Sequence, residues 1–300
     1  MRRAFLTVLV LFQMLLLGSL PVFAEESAEA EENAAPPLRT WVVSQEGRGD
    51  FTTIQAAIDA ASDHDTIRVT PGTYEECLKA AGKILNIEGD DPYSCVVRCP
   101  GFDYHNPALE MSCGTLRNLT LRTYDDGQTS GDGTFGYCLH TDYDHQTGRD
   151  LYVENCHFIS ECGACAGIGL RPHYTLEFNN CTFDSRNAQG AVFCHDYEPA
   201  DAESSPDLTG QRLIIRDCTL TDSASSPAVI RFQSQELGEA VAEVTFQRNI
   251  VTGAEAGSCL YMSLYEGRNI GGGHFLGSSD WVLTPVSAMN SDGSMNSAAP

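Results

Sequence analysis

The sequence predicts an all-β fold, a parallel β-helix closed at its N-terminal end by one short helix, and three observations carry that expectation. First, a short phrase recurs as "LRNLTLR", "VENCHFI", "FNNCTFD", "IRDCTLT" and "FQRNIVT". It aligns Asn118, Asn155, Asn180, Asp217 and Arg248 at separations of 37, 25, 37 and 31 residues. Each unit is too short to bury a face by itself, so neighbours must stack. Second, another phrase occurs once per unit, as "GYCLHTDY", "AGIGLRPH", "GAVFCHDY", "PAVIRFQS" and "SCLYMSLY". Each copy alternates in polarity as a half-buried strand does. Third, one amphipathic helical pattern near the start is followed by no other, which excludes a doubly wound α/β sheet.

From the N-terminus, residues 1–24 read as a secretory signal peptide. Arg2 and Arg3 form its basic start, Ala4 to Leu17 its apolar stretch, and Val22-Phe23-Ala24 its small-residue cleavage site. The apolar run is too short to span a bilayer comfortably, so a secreted protein is expected, extracellular or periplasmic, with no membrane association after cleavage. Residues 25–38 form an acidic, Ala- and Pro-rich disordered linker. The β-helix domain is expected over 39–286, and residues 287–300 read as a disordered tail.

In "GDFTTIQAAIDAASDHDTIRVTPGTYEE", Thr52 or Thr53 can cap a helix whose Ile54, Ala57, Ile58 and Ala61 lie on one face. A solenoid end exposes unpaired edges and an open core, and this face can sit on the first rung as a lid. In the second phrase, one consistent register points Leu139, Ile168, Val192, Ile230 and Leu260 inward. Thr141, Leu170, Cys194, Phe232 and Met262 follow two residues on. The residues between face outward: His140 and Asp142, Gly169 and Arg171, Phe193 and His195, Arg231 and Gln233, Tyr261 and Ser263.

The chain holds twelve cysteines. In an exported chain that number ordinarily suggests a disulfide framework. Cys156, Cys181 and Cys218 instead recur inside strand-like text, as a column of buried thiols would. Cys162 and Cys165 form "CGAC", and Cys95 and Cys99 flank "VVR". A lone Cys-x-x-Cys without a second pair is a poor zinc site, and a local disulfide is expected. With 18 basic against 41 acidic residues the net charge is −23, which excludes nucleic acid and anionic membranes as partners. A neutral or esterified polymer fits better, or a polyanion held by local arginines or bound cations. A monomer is expected.

"WVVSQEGRGDFTTIQAAIDAASDHDTIRVTPGTYEE" followed by "ILNIEGDD" resembles the N-terminal portion of pectin methylesterases and of the wider pectin-lyase-like superfamily of right-handed parallel β-helices. The likeness covers residues 41–90. It implies the handedness of the coil, a carbohydrate-active scaffold and a sugar groove along the outward stripe. The family's paired aspartates do not carry over: their places read "ACAGIGL" and "QGAVFCH", with Gly167 and Gly190 near those points. Arg48-Gly49-Asp50 spells an integrin-binding tripeptide but falls inside this phrase, where we read it as coincidence.

The outward stripe therefore carries the candidate chemistry. Asp142, Arg171 and His195 would occupy one column on three successive rungs. In a hydrolytic reading Asp142 acts as nucleophile or base, Arg171 holds developing negative charge and His195 moves the proton. In a lyase reading an arginine abstracts the proton beside a uronate carboxylate, with bound calcium acidifying it. His140, Phe193, Arg231, Gln233 and Tyr261 line the same stripe as candidate polysaccharide-binding residues. A solvated ladder of alternating charges would look the same in sequence. No diffusible cofactor is indicated. Asp142, Asp144 and Gln146 are spaced like a calcium loop, but Gly148 is misplaced for an EF-hand and residue 153 is a valine. Asn118 and Asn180 match glycosylation sequons at positions where the stack itself needs them. The expected function is that of an exported protein acting on uronate-rich, pectin-like polysaccharide, pectinesterase-like by resemblance. The alternatives are a noncatalytic glycan-binding or adhesive module, and a polysaccharide lyase.

Overall fold

The computed structural model describes residues 37–101, 106–127, 136–141, 146, 150–171, 173–186, 190–196, 210–221, 230–234, 243–252, 260–264, 269–273 and 281–283. The chain divides into Met1–Leu38 and Arg39–Pro300. The expected signal peptide (1–24), nearly all of the expected linker (25–38), the expected tail (287–300) and Asp142 lie outside the described residues. Among those residues no helix is long and apolar enough to cross a membrane.

The chain opens with β1 (Thr40–Val43), α1 (Ile54–Ala60), β2 (Thr66–Val69), β3 (Gly72–Glu75), β4 (Leu78–Lys79), β5 (Ile84–Gly89), β6 (Cys95–Pro100), β7 (Leu109–Glu110) and β8 (Cys113–Arg117). It continues with β9 (Thr120–Tyr124), β10 (Leu139–Thr141), β11 (Leu151–Glu154), β12 (His157–Ser160), β13 (Ala166–Leu170), β14 (Thr175–Asn179), β15 (Thr182–Ser185) and β16 (Val192–Asp196). The last strands are β17 (Arg212–Arg216), β18 (Thr219–Thr221), β19 (Ile230–Ser234), β20 (Glu243–Gln247), β21 (Ile250–Thr252), β22 (Leu260–Leu264), β23 (Asn269–Gly273) and β24 (Trp281–Leu283).

From β2 to β22 every third strand joins the same sheet. Sheet A runs β1-β2-β5-β8-β11-β14-β17-β20-β24, sheet B runs β3-β6-β9-β12-β15-β18-β21, and sheet C runs β4-β7-β10-β13-β16-β19-β22-β23. All pairings are parallel except β20 with β24 and β22 with β23, the two antiparallel strands that end sheets A and C. Three parallel sheets visited in rotation make a right-handed parallel β-helix, the hand that parallel crossovers take.

The corner from sheet A to sheet B explains the five-fold phrase. Asn118, Asn155, Asn180, Asp217 and Arg248 all adopt left-handed backbone, with φ between 51° and 56°. Asn and Asp tolerate that region best among residues with a side chain. The Asn155 carboxamide donates to Asn118 Oδ1 at 2.8 Å and the Asn180 carboxamide to Asn155 Oδ1 at 3.3 Å, so the sequon asparagines do serve the stack. Arg248 sits where an Asn would be expected and places its guanidinium on Asp217, with Nε 2.7 Å from Oδ1. That bond holds the Asp217 carboxyl below the usual carboxylate range.

The next residue in each corner turns inward: Leu119, Cys156, Cys181, Cys218 and Asn249, all buried. The three cysteines are thus a column of buried thiols, as the sequence predicts. Each Sγ donates to the carbonyl two residues earlier, at 3.3 Å for Cys156 and Cys181 and 3.1 Å for Cys218. Asn249 ends the column, accepting from Cys218 N at 2.8 Å and donating to Ile215 O at 2.8 Å. Inside the coil Phe158 and Phe183, partners on adjacent rungs, stack at 5.0 Å, and Phe178 meets both edge-on. Such aromatic pairs contribute about 0.5–1.5 kcal/mol beyond their burial.

The helix packs on β1, β2 and β4, strands at the start of sheets A and C, and buries Ile54, Ala57 and Ile58. Thr53 occupies the N-cap position but makes no side-chain capping bond. The Glu76 carboxylate does that work from the connection between β3 and β4, accepting from Ile54 N and Gln55 N at 2.9 Å each. Lys83 Nζ closes the other end, donating to Ile58 O at 2.7 Å, Asp59 O at 3.1 Å and Ala61 O at 2.9 Å. A seven-residue helix has little stability of its own, so its ends are held by charges from the first rung.

The disulfide pairing differs from expectation. Cys77 is joined to Cys99, with Cα atoms 5.4 Å apart. Cys95 and Cys99 both point inward on β6, about 13 Å apart along the strand, beyond the span of a disulfide. Cys162 and Cys165 are not disulfide-bonded, Cys165 being buried and Cys162 half-buried. The Arg48-Gly49-Asp50 tripeptide lies in the turn after β1, and Asp50 Oδ2 accepts from Val42 N at 2.8 Å. A Cβ on Gly49 would fall 2.3 Å from Val42 O. This turn is a structural clasp, and its carboxylate is committed.

Candidate functional site

The outward stripe belongs to sheet C, and the strand register determines which of its residues can act together. From β16 onward the expected register holds: Val192, Ile230 and Leu260 are partners, as are Cys194, Phe232 and Met262. One rung earlier it does not. Leu139 pairs with Ala166, and Ile168 pairs with Thr141 on one side and Cys194 on the other. β13 is thus displaced by two residues from the expected alignment. A two-residue shift leaves every side chain on its expected face, because strand alternation has a period of two. It moves each one to a different column.

The proposed catalytic column is broken by that shift. His195 stands opposite Gly169, and Arg171 lies beyond the end of β13, so the two do not share a column. The Arg171 backbone is held by Gln146, whose Oε1 accepts from Arg171 N at 2.9 Å. Gln146 Nε2 donates to Gly169 O at 2.5 Å, and Thr141 Oγ1 accepts from Gly169 N at 3.1 Å. Gln146, read above as a calcium-loop position, is buried and spends its carboxamide on the backbone of the next rung. Among the described residues no group of three or more His, Cys, Asp or Glu side chains could hold a metal ion.

The predicted binding residues fare differently. His140, Phe193, Arg231 and Tyr261 fall in one register column, with Gly167 between His140 and Phe193. Gln233 lies in the register column two residues on, beside His195 and Ser263. Gly167 is small for a reason visible in its surroundings. The Tyr137 ring lies over it, so near that a Cβ would come within 2.5 Å of a ring carbon. The same ring stacks on His140 at 5.6 Å and 17°. Tyr137 and His140 therefore form a flat aromatic step on the outer face of sheet C, with Phe193 half-buried on the far side of Gly167.

Extending the column toward the N-terminus adds two residues that sequence reasoning missed. Glu110 pairs with His140, and Lys79 pairs with Glu110. The stripe thus reads Lys79, Glu110, His140, Gly167, Phe193, Arg231 and Tyr261. Glu110 went unnoticed because "ALEMSC" lacks the alternating length of the later copies and β7 has only two residues. Its signal was the apolar-acidic step Leu109-Glu110 one repeat before "LH". Tyr137 precedes its strand and gave no periodic signal.

Cys156 and Cys181 of the corner column are no candidates for nucleophilic chemistry. Burial pushes the Cys156 thiol up to about 12 and Cys181 well above its ordinary value, so neither forms a thiolate near neutrality.

No protein-family model matches this sequence, and no curated protein matches it. Among solved structures, the chain is similar to a mutant pectin methylesterase in complex with a hexasaccharide, at 14% identity and a TM-score of 0.44 over 84% of this chain and 86% of that one. It is similar to pectin methylesterase PemA from Erwinia chrysanthemi at 13% identity and a TM-score of 0.40, over 76% and 81% of the two chains. The pectin methylesterase from carrot gives 13% identity and a TM-score of 0.37, over 78% and 90%. At identities and scores this low the likeness says nothing about what the chain binds.

Proposed function

We propose that this protein is an exported, noncatalytic β-helix that binds a uronate-rich, pectin-like polysaccharide in its esterified form along the outer face of sheet C. The single observation that carries this reading is the register column His140, Gly167, Phe193, Arg231 and Tyr261, with the Tyr137 ring laid across its glycine. Flat aromatic and imidazole surfaces suit the faces of sugar rings, whose C–H groups are apolar. A guanidinium in the same column suits the carboxylate or ester carbonyls of a uronate. Rungs of a parallel coil recur at about 4.8 Å, so residues in this column can engage successive parts of an extended polymer. The net charge of −23 opposes a strongly anionic chain and favours the esterified one.

A catalytic reading has a narrower basis. Glu110 opposite His140 sets a carboxylate beside an imidazole on the same stripe, an arrangement able to move a proton near neutrality. One experiment separates the two. The purified chain is passed over immobilised esterified and de-esterified pectin, with and without calcium, while methanol and unsaturated products are followed. Retention on the esterified polymer, weakened in Tyr137→Ala and accompanied by no product, is the expected result. Failure to be retained on either polymer overturns the binding reading. Methanol release that disappears in Glu110→Gln replaces it with esterase chemistry on this stripe.

A further inference from the structure

We infer a second ligand site on the outer face of sheet A, a groove that takes one neutral sugar ring. It goes beyond the polysaccharide reading of sheet C and does not depend on it. The groove crosses four consecutive rungs, β8, β11, β14 and β17, and encloses about 230 Å³. That is below the roughly 300–1,000 Å³ of drug-sized sites. Arg117, Glu154, Asn179 and Arg216 form one register column, and Tyr152 and Glu177 are neighbours in the column two residues earlier. All six line the groove.

Their chemistry defines the ligand. Two guanidinium groups and two carboxylates cancel in charge. Arg117 Nε lies 3.3 Å from Glu154 Oε2, and Arg216 is ion-paired with Glu177. A uronate would meet both glutamates and the protein's net charge of −23, and a cationic ligand would meet both arginines. A neutral polyol meets neither penalty. Each hydroxyl both donates and accepts, so it can insert into these pairs, donating to carboxylate oxygens while accepting from guanidinium and carboxamide N–H groups.

One further feature points to an occupant. Tyr152 is 44% exposed. Its hydroxyl donates to Asp150 Oδ2 at 3.0 Å, which fixes the ring at the groove wall and offers its face to the apolar side of a pyranose.

The test is titration of the purified chain with neutral mono- and disaccharides (galactose, glucose, xylose, arabinose and their dimers) and with galacturonate oligomers. Binding is read by saturation-transfer NMR and calorimetry, beside Tyr152→Ala, Glu177→Gln and Tyr137→Ala, each checked for an unchanged melting curve. The expected result is that a neutral sugar binds and that Tyr152→Ala and Glu177→Gln each weaken it about tenfold, as losing an aromatic contact or a charged hydrogen bond would. Tyr137→Ala leaves it unchanged, which keeps this site distinct from sheet C. The inference is overturned if no neutral sugar binds, if binding survives both groove variants, or if Tyr137→Ala abolishes it.

Discussion

The helix α1 is held at its N-terminus by one side chain from elsewhere, which makes Glu76→Ala a sharp test of what keeps the helix on the first strands. The Glu76 carboxylate accepts from Ile54 N and Gln55 N at 2.9 Å each, while Thr53 at the N-cap position supplies no side-chain bond. Losing an N-cap costs about 0.5–2 kcal/mol, and bonds to a charged acceptor contribute about 1.5–3 kcal/mol. An anion at a helix N-terminus adds about 0.3–1 kcal/mol. Glu76 is half-buried, so solvent screens part of this, and about 2 kcal/mol is expected for the alanine variant. Glu76→Gln retains one acceptor oxygen without the charge and should lose about half as much.

In a solenoid, stability is the sum of local contributions, so the loss should appear first at the helix. Hydrogen exchange at the α1 amides should accelerate about thirtyfold, the equivalent of 2 kcal/mol, while amides of β14 and β15 remain as protected as before. A melting temperature lower by about 4–8 °C should accompany it if the end of the coil unfolds with the rest. Exchange at α1 within threefold of the parent would refute the reasoning and show that the buried Ile54, Ala57 and Ile58 hold the helix without a cap.

Three other perturbations have definite outcomes. Asp65 is buried; burial would raise its carboxyl, but Arg39 N, Ser62 N and the Trp41 indole N–H all donate to it and hold it below its ordinary value of 3.8. Its folded pKa is depressed, so its contribution is present above that ordinary value and is lost as pH falls through the folded one. Acid titration of stability should therefore show a loss below about pH 4 that Asp65→Asn flattens. For Cys156 the sign is opposite. Its pKa is raised to about 12, so its contribution is complete below the ordinary thiol value and is lost as pH rises toward 12. At pH 8 the folded chain should resist alkylation at Cys156, and rapid labelling there would place that thiol at the surface. Cys77→Ser removes a crosslink spanning 22 residues, for which chain entropy predicts a loss of about 3 kcal/mol; a chemical denaturation midpoint unchanged from the parent would count against the bond.

The fold was legible because its determinants are local and repeated. Asn118, Asn155, Asn180, Asp217 and Arg248 mark corners that need left-handed backbone, and the residue after each turns inward because a two-residue corner leaves it no other direction. The alternation of "HTDY" or "AVFCH" fixes which face a side chain takes. The candidate site was legible only in part for the same reason. His140, Phe193, Arg231 and Tyr261 were assigned to one stripe and share one column, whereas Arg171 was assigned to the column of His195 and lies two residues past it.

The sequence by itself therefore determined the all-β coil, its corners, the helix at 54–60 and the inward or outward face of most strand residues, since these depend on backbone preference and a period of two. Only the tertiary structure decided which rung meets which. Ala166 rather than Ile168 faces Leu139, Cys77 rather than Cys95 reaches Cys99, Glu76 and Lys83 rather than a threonine close the helix, and Tyr137 covers Gly167. Each of these depends on how far a connection carries the chain before the next strand begins. That distance leaves no periodic trace, and a slip of two residues satisfies the same hydrophobic pattern equally well.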